Sequence, residues 1–293
     1  MEAQKVTFFE RRQTVCLVCG GKFFREELLS GGGRLIAGNL SPELRRMYEP
    51  SKKYGEVAPL LYPVTVCPSC YFAAFGPDFA AIPEKGRARA AVHADERRAG
   101  ALLLFPQLDF TAPRTLFEGT ASYFLAMASY DFYDKKANPT YKSALCALRA
   151  AWLLGDLHQK FPGDNWDYAA LLFYRKARFY YRMSLERESA GLEAFDKNLA
   201  FGPDLDKNYG YHGVIYVSAY LDFRYGAVQD REKRATELES ARRMMAKIFG
   251  VGKSSKDKPT VLLDKAREIY EKMGEELAGL RPETPSAEPN VLD

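Results

Sequence analysis

Cys16-Leu17-Val18-Cys19 and Cys67-Pro68-Ser69-Cys70 set out two pairs of thiols, with 47 residues between the pairs. Four soft ligands offered by two such turns match a tetrahedral Zn²⁺, which takes sulfur at ~2.3 Å. No other ligand type lies nearby in the chain, the nearest histidine being His93. Four thiolates leave no position open for water or substrate. The expectation is one structural Zn²⁺ per chain, held by Cys16, Cys19, Cys67 and Cys70. The alternative is a redox dithiol, which calls for an electropositive helix N-terminus after one pair. Both pairs here sit between strand-like segments instead.

Working outward, residues 5–15 are rich in β-branched and aromatic types and read as a strand leading into the first pair. Gly20 and Gly21 follow Cys19, where a positive φ lets backbone amides face the sulfurs. Phe23 and Phe24 return as a strand, and Gly31–Gly33 mark a turn. Residues 34–58 are polar and read as irregular, with Ser41-Pro42 opening a short helix. Leu60–Val66 reads as the strand delivering the second pair, and residues 71–79 close the module. Ile82-Pro83 then starts a charged helix reaching about Arg98, with Pro83 suited to a first turn.

Beyond residue 110 the apolar period becomes helical. Thr111 and Pro113 offer a cap and first turn for a helix to about Tyr133, and Asn138-Pro139 repeats that start for a helix to about His158. Asp164 can cap a long aromatic helix from Trp166 to about Glu188. Further helices are expected over 206–225, from Asp230 to Phe249, and from Pro259 to about Leu280. Short Gly- and Pro-bearing connectors force antiparallel neighbours. Small and large residues alternate along the faces, as in Ala144, Leu148 and Ala151 with Leu145 and Trp152 beside them, and in Ala170, Phe173, Ala177 and Tyr181. Such alternation lets helix pairs interlock in tetratricopeptide-like hairpins, though no strict 34-residue repeat aligns. The predicted fold is mostly α: a zinc-ribbon-like β module over 1–80, a connecting helix and linker over 81–110, an α-helical hairpin array over 111–281, and a disordered tail over 282–293.

Five cysteines, four of them in the two pairs, fit metal binding in a reducing compartment. The polar start Met1–Lys5 leads into no apolar stretch, and the longest apolar run, near Ala101–Phe105, falls far short of the ~20 residues of a membrane helix. A cytoplasmic protein is expected. Residues 1–98 carry 15 Lys+Arg against 11 Asp+Glu, whereas residues 99–293 carry 27 of each. Four thiolates on one Zn²⁺ add −2, which lowers the excess on the first part to about +2. A solvated or charge-compensating surface explains this better than a nucleic-acid footprint.

Other motifs are weaker. Phe249-Gly250-Val251-Gly252-Lys253-Ser254-Ser255 resembles the end of a phosphate-binding loop but has a helix before it and Pro259 after. Asp156 and His158 sit near a helix end without a catalytic pattern around them. Cys146 reads as a core thiol, and Arg175, Arg178 and Arg182 as a solvated helix stripe, with an acidic partner as the alternative.

Two motifs together resemble a bacterial family, the domain of unknown function 2225 group. They are Cys16-Leu17-Val18-Cys19-Gly20-Gly21-Lys22-Phe23 and Val66-Cys67-Pro68-Ser69-Cys70-Tyr71-Phe72-Ala73-Ala74-Phe75. The resemblance implies the same four metal ligands and a tetratricopeptide-like helical region, and it carries no activity. Leu17 stands where the family favours Pro. Tyr71 stands where it favours Gly, so the second turn is expected to be strained or built differently, because Tyr disfavours φ > 0.

The reading that follows is a zinc-stabilised interaction protein, not an enzyme, whose helices bind a protein or peptide. Trp152, Trp166, Tyr174 and Tyr181 are the candidate lining residues. One alternative is nucleic-acid binding through the N-terminal module and Lys85-Gly86-Arg87-Ala88-Arg89. The other is an enzyme whose polar groups converge only in three dimensions.

Overall fold

Residues 7–28 form a long, interrupted hairpin in the computed structural model, which describes residues 5–29, 31–196, 199–249 and 259–280. β1 (Thr7–Phe9) pairs antiparallel with β4 (Glu26–Leu28), and β2 (Thr14–Val15) with β3 (Lys22–Phe23). The single strand expected over 5–15 breaks at Glu10–Gln13, a polar run with no apolar side to bury. β7 (Val64–Val66) and β8 (Ala73–Phe75) form the matching hairpin around the second cysteine pair, and α1 (Gly76–Phe79) follows directly.

The stretch expected to be irregular holds a third hairpin, β5 (Ile36–Leu40) with β6 (Arg46–Glu49). Ser41 opens no helix. Its Oγ accepts from the amides of Glu43 and Arg45 at 3.2 and 3.1 Å, closing a tight turn with Leu44 at φ 65°. A serine that can cap a helix can equally satisfy a turn, and here the turn wins.

The charged helix after Pro83 is split into α2 (Glu84–Val92) and α3 (Ala94–Leu104), with His93 at φ −90°, ψ 19° between them. The Arg97 guanidinium explains the break. It donates to the carbonyls of Ala90 and His93 at 3.0 and 3.3 Å and to the Cys70 carbonyl at 2.8 Å. The next helix, α4 (Leu116–Ser129), is capped by Thr115 and not Thr111. Thr115 has Glu118 three residues on and forms a reciprocal capping box with it, whereas the amide and hydroxyl of Thr111 bond Asp109.

The remaining helices are α5 (Pro139–Lys160), α6 (Trp166–Ser189), α7 (Gly210–Tyr225), α8 (Arg231–Ala246) and α9 (Thr260–Leu280). Each packs on the next from α4 onward, and α5 with α6 makes the most extensive pair. Their lengths run from 14 to 24 residues, too uneven for a fixed repeat. The protein is thus mostly helical, with small antiparallel strand pairs at the N-terminal end. The alternating faces do pack inward: Ala144, Leu148, Ala151, Ala170, Phe173, Ala177 and Tyr181 are all buried, in a cluster running from Cys16 to Leu277.

The β5–β6 turn is lodged among the helices. Leu44 is fully buried, and Arg45 forms a forked pair with Asp156 at 2.5 and 2.9 Å beside the Trp152 ring. The Tyr216 hydroxyl donates to the Pro42 carbonyl at 2.7 Å, and Lys265 to that of Leu40 at 3.2 Å. The arginine stripe on α6 is likewise not all solvated: Arg178 holds Asp222 of α7 at 2.6 Å and Glu237 of α8 at 2.9 Å.

Gly86, inside the basic segment 85–89, faces inward. A Cβ there would lie 2.2 Å from the Phe132 carbonyl oxygen. Alanine gains up to ~1 kcal/mol of helix propensity over glycine, while overpacking against backbone costs about 1–3 kcal/mol. Gly86→Ala is therefore expected to lower the denaturation midpoint; an unchanged or raised midpoint would show that α2 moves aside freely.

Candidate metal centre

The two hairpin ends are built alike. In the first, the Gly20 amide donates to the Cys16 carbonyl at 2.8 Å and the Cys16 amide to that of Gly21 at 2.9 Å. In the second, the Tyr71 amide donates to the Cys67 carbonyl and the Cys67 amide to that of Phe72, both at 2.9 Å. Each turn presents two thiols on one side, and the four sulfurs lie within 4.8 Å of one another. Cys16 Sγ is 3.7 Å from Cys70 Sγ, and Cys19 Sγ is 3.6 Å from Cys67 Sγ. Sulfurs at ~2.3 Å from a tetrahedral ion stand ~3.8 Å apart, so this spacing fits a metal. It is far from the ~2.05 Å of a disulfide. All four are free thiols; Cys16, Cys67 and Cys70 are buried and Cys19 is exposed.

Electrostatics point the same way. Four sulfurs this close cannot all ionise without a cation among them. Cys67 is pulled down to about 2 by hydrogen bonds from Cys16 and Cys70, and Cys16 is pushed up to about 12, chiefly as the donor to Cys67. Cys70 is raised as well, first by its contact with Cys16. A divalent ion would relieve this competition by converting all four to thiolates.

The surroundings fix the two turns against each other. Gly21 lies where they meet: a Cβ there would stand 3.0 Å from Ser69 Oγ and 3.3 Å from Cys19 Sγ. Arg97 holds the Cys70 carbonyl from behind. Nothing in the sequence marks Arg97, which is one cation in a charged run.

Tyr71 takes the left-handed conformation that Gly20 takes in the first turn, with φ 56° against 75°. The turn is therefore strained and not rebuilt. Its ring is buried edge-on against Phe110, with centroids 5.4 Å apart, and lies under Arg98.

The other candidates do not converge. Asp156 is engaged by Arg45, and His158 Nδ1 stands 3.9 Å from Asp167, so the two form no joint site. Cys146 is buried, with its thiol pushed up by burial. Trp152 and Tyr181 are core residues; Trp166 stacks on Phe105 and Tyr174 on Tyr225. Gly250–Ser255 of the phosphate-loop-like stretch lies outside the described residues.

A four-cysteine centre set on short hairpins and backed by a helical body defines the class of protein. The chain belongs to the DUF2225 family, described as an uncharacterized protein conserved in bacteria, whose pattern matches residues 9–273. A relative from Borreliella burgdorferi strain B31, described as an uncharacterized protein, is 41% identical over 278 residues, covering 95% of this chain and 100% of the relative. No solved structure matches the chain.

Left-handed backbone costs a non-glycine residue roughly 1–2 kcal/mol, whereas burying an aromatic ring contributes roughly 2–3 kcal/mol. Burial wins narrowly. Tyr71→Gly is expected to lower unfolding stability by about 1 kcal/mol while keeping the four sulfurs in place, as read by denaturation and by metal content. A stabilised variant would mean that strain outweighs the ring.

Proposed function

We propose that this is a zinc-stabilised interaction protein with a structural Zn²⁺ on Cys16, Cys19, Cys67 and Cys70. The observation that carries the reading is the sulfur quartet itself. Its spacing suits an ion of zinc's size, and four thiolates fill the coordination shell, leaving no place for substrate. The soft donor set also favours zinc over harder cations. The metal then ties residues 16–19 to residues 67–70, and the helices supply the surface.

The part of that surface best suited to a protein partner is the outer face of α6. Tyr168, Leu172, Arg175 and Phe179 recur at helical spacing and are all exposed. An apolar stripe with a cation in it suits an amphipathic helix or peptide bearing an acidic residue. No helix among the described residues is long and apolar enough to cross a membrane.

A nucleic-acid reading has less support. Within the basic segment, Arg87 donates to the Ile82 carbonyl and Arg89 lies over the Phe132 ring. Both guanidiniums are drawn onto the protein.

Two measurements test the proposal. Purified protein is expected to hold one zinc per chain, and Cys67→Ser or chelation to lower both metal content and stability. Structural zinc contributes ~10–16 kcal/mol of apparent binding energy in small modules, so full stability without metal would sink the structural role. Tagged protein recovered from its native host is expected to bring down a partner that the double variant Tyr168→Ala, Phe179→Ala loses. Both residues are exposed, so the variant should fold normally. A partner set unchanged by it would reject the α6 surface, and recovery of nucleic acid alone, removable by salt, would favour the other reading.

A further inference from the structure

Asn138, Tyr141, Leu145 and Arg149 follow one another at spacings of three and four residues, which places them on one face of α5. That face looks into a cleft of about 550 Å³, whose opposite walls are Phe75–Asp78, leaving the second cysteine hairpin, and residues 199–208. This is the volume of a small-molecule site.

Two of the cleft's polar groups have unmet needs. Arg149 is only 4% exposed, and no carboxylate stands within 4.0 Å of it among the described residues. Its Nε donates to the Pro203 carbonyl at 2.8 Å, its Nη2 reaches the carbonyls of Gly202 and Asp204 only at 3.5 Å, and the rings of Phe75 and Tyr123 flank it. Asp204 favours its charge from a distance, but a buried cation with no carboxylate in direct contact remains costly. The second group is the Tyr141 hydroxyl, which is buried, faces the Tyr181 hydroxyl across a gap too long for a full hydrogen bond, and has no partner at hydrogen-bond distance.

The acids beside them are already engaged. Asp78 accepts from Lys142 and from the Tyr130 hydroxyl, both at 2.7 Å. Asp204 accepts from the amides of Arg46 and Leu205; it attracts Arg149 through space but makes no direct ion pair with it, and burial raises its pKa. Asp206 holds Arg46 at 2.9 Å. Lys136 and Lys207 stand exposed at the rim. The unmet demand is for negative charge and a hydrogen-bond acceptor, while Phe75, Leu145 and Leu199 offer apolar wall.

We propose that the cleft between β8–α1 and α5 binds a small organic anion, its carboxylate or phosphate held by Arg149 and the Tyr141 hydroxyl and its apolar body against Leu145 and Leu199. This site is separate from the metal centre and does not depend on the α6 partner surface.

The test titrates the full-length, metal-loaded protein with benzoate, phenyl phosphate and, as the uncharged control, benzyl alcohol, by calorimetry and ligand-observed NMR. One or both anions are expected to bind, and which one binds identifies the head group. Tyr141→Phe removes one oxygen whose nearest polar neighbour is the Tyr181 hydroxyl, beyond hydrogen-bond distance. It should melt at the wild-type temperature or above, yet bind the anion about tenfold more weakly, as the loss of one hydrogen bond to a charged group predicts. Arg149→Gln should abolish binding. Should that variant fail to fold, Tyr141→Phe alone decides. No binding of either anion at ~10 mM, where a millimolar site is mostly filled, would overturn the proposal. So would equal binding of benzyl alcohol, or undiminished affinity in Tyr141→Phe.

Discussion

The sulfurs of Cys16 and Cys19 meet those of Cys67 and Cys70 only if the 47 residues between them are closed into a loop. Closing a loop of that length costs roughly 3–4 kcal/mol of chain entropy, and the zinc proposed for these sulfurs would exceed that several-fold. What the loop does with its slack decides the architecture. It runs out as β5, turns at Ser41–Arg45, and returns as β6, placing Leu44 in the helical core and Arg45 on Asp156. The N-terminal strands are therefore fixed at two places, by the cysteines at the base and by the turn at the tip. Helix α4 completes the seam: the Tyr123 hydroxyl donates to the Leu60 carbonyl at 2.8 Å, and the Ala73 amide to Ser129 Oγ at 3.3 Å.

Arginine is the recurrent device at that seam. Short two- and three-residue strands leave many carbonyls without ladder partners, and buried carbonyls need donors. Arg97 supplies Cys70 and Ala90, and Arg114 supplies Leu61 and Val64. The planar guanidinium holds its five donors in a fixed arrangement, whereas a lysine's three rotate on a flexible stem. The positive excess of residues 1–98 takes on a different meaning here. Arg45, Arg46, Arg87 and Arg97 all turn inward onto carboxylates or carbonyls. Part of the net charge counted along the chain is thus internal wiring, while Arg11, Arg12, Lys52, Lys53 and Lys85 remain exposed.

The sequence made some of this plain and hid the rest for definable reasons. The four cysteines were legible because two Cys-x-x-Cys pairs between strand-like segments suit a metal better than a redox dithiol. The starts of α5, α8 and α9 were legible because Pro139, Asp230 and Pro259 act locally: Asp230 accepts from the Lys233 amide, and the Pro259 carbonyl takes the first amides of its helix. The β5–β6 hairpin was not, because Ile36-Ala37-Gly38-Asn39-Leu40 has little strand propensity and its pairing is secured from outside, through Asp156, Asp204 and Tyr216. Tyr71 lies between these cases. Its positive φ was foreseeable from the family pattern, but the pocket beside Phe110 that holds the ring is tertiary. The same holds for Arg178, whose partners come from α7 and α8.

Two consequences bear on where function can reside. Helical arrays ordinarily offer an inner face to ligands, but here Trp152 and Asp156 are taken by Arg45, and Tyr216 by the Pro42 carbonyl. Residues 40–46 occupy in cis the ground a peptide would otherwise cover. A partner of the proposed kind would then use an outward face, such as that of α6, or displace a turn anchored by a forked ion pair and a fully buried leucine. The second consequence concerns the cleft, whose wall begins at Phe75, five residues after Cys70. β8 is paired to β7, and both are fixed by the second cysteine turn. A metal on the quartet would therefore set the position of that wall relative to Tyr141 and Arg149 without taking part in any reaction. The sulfur quartet and the cleft are thus two ends of one short hairpin, and the shape of the second depends on the closure of the first.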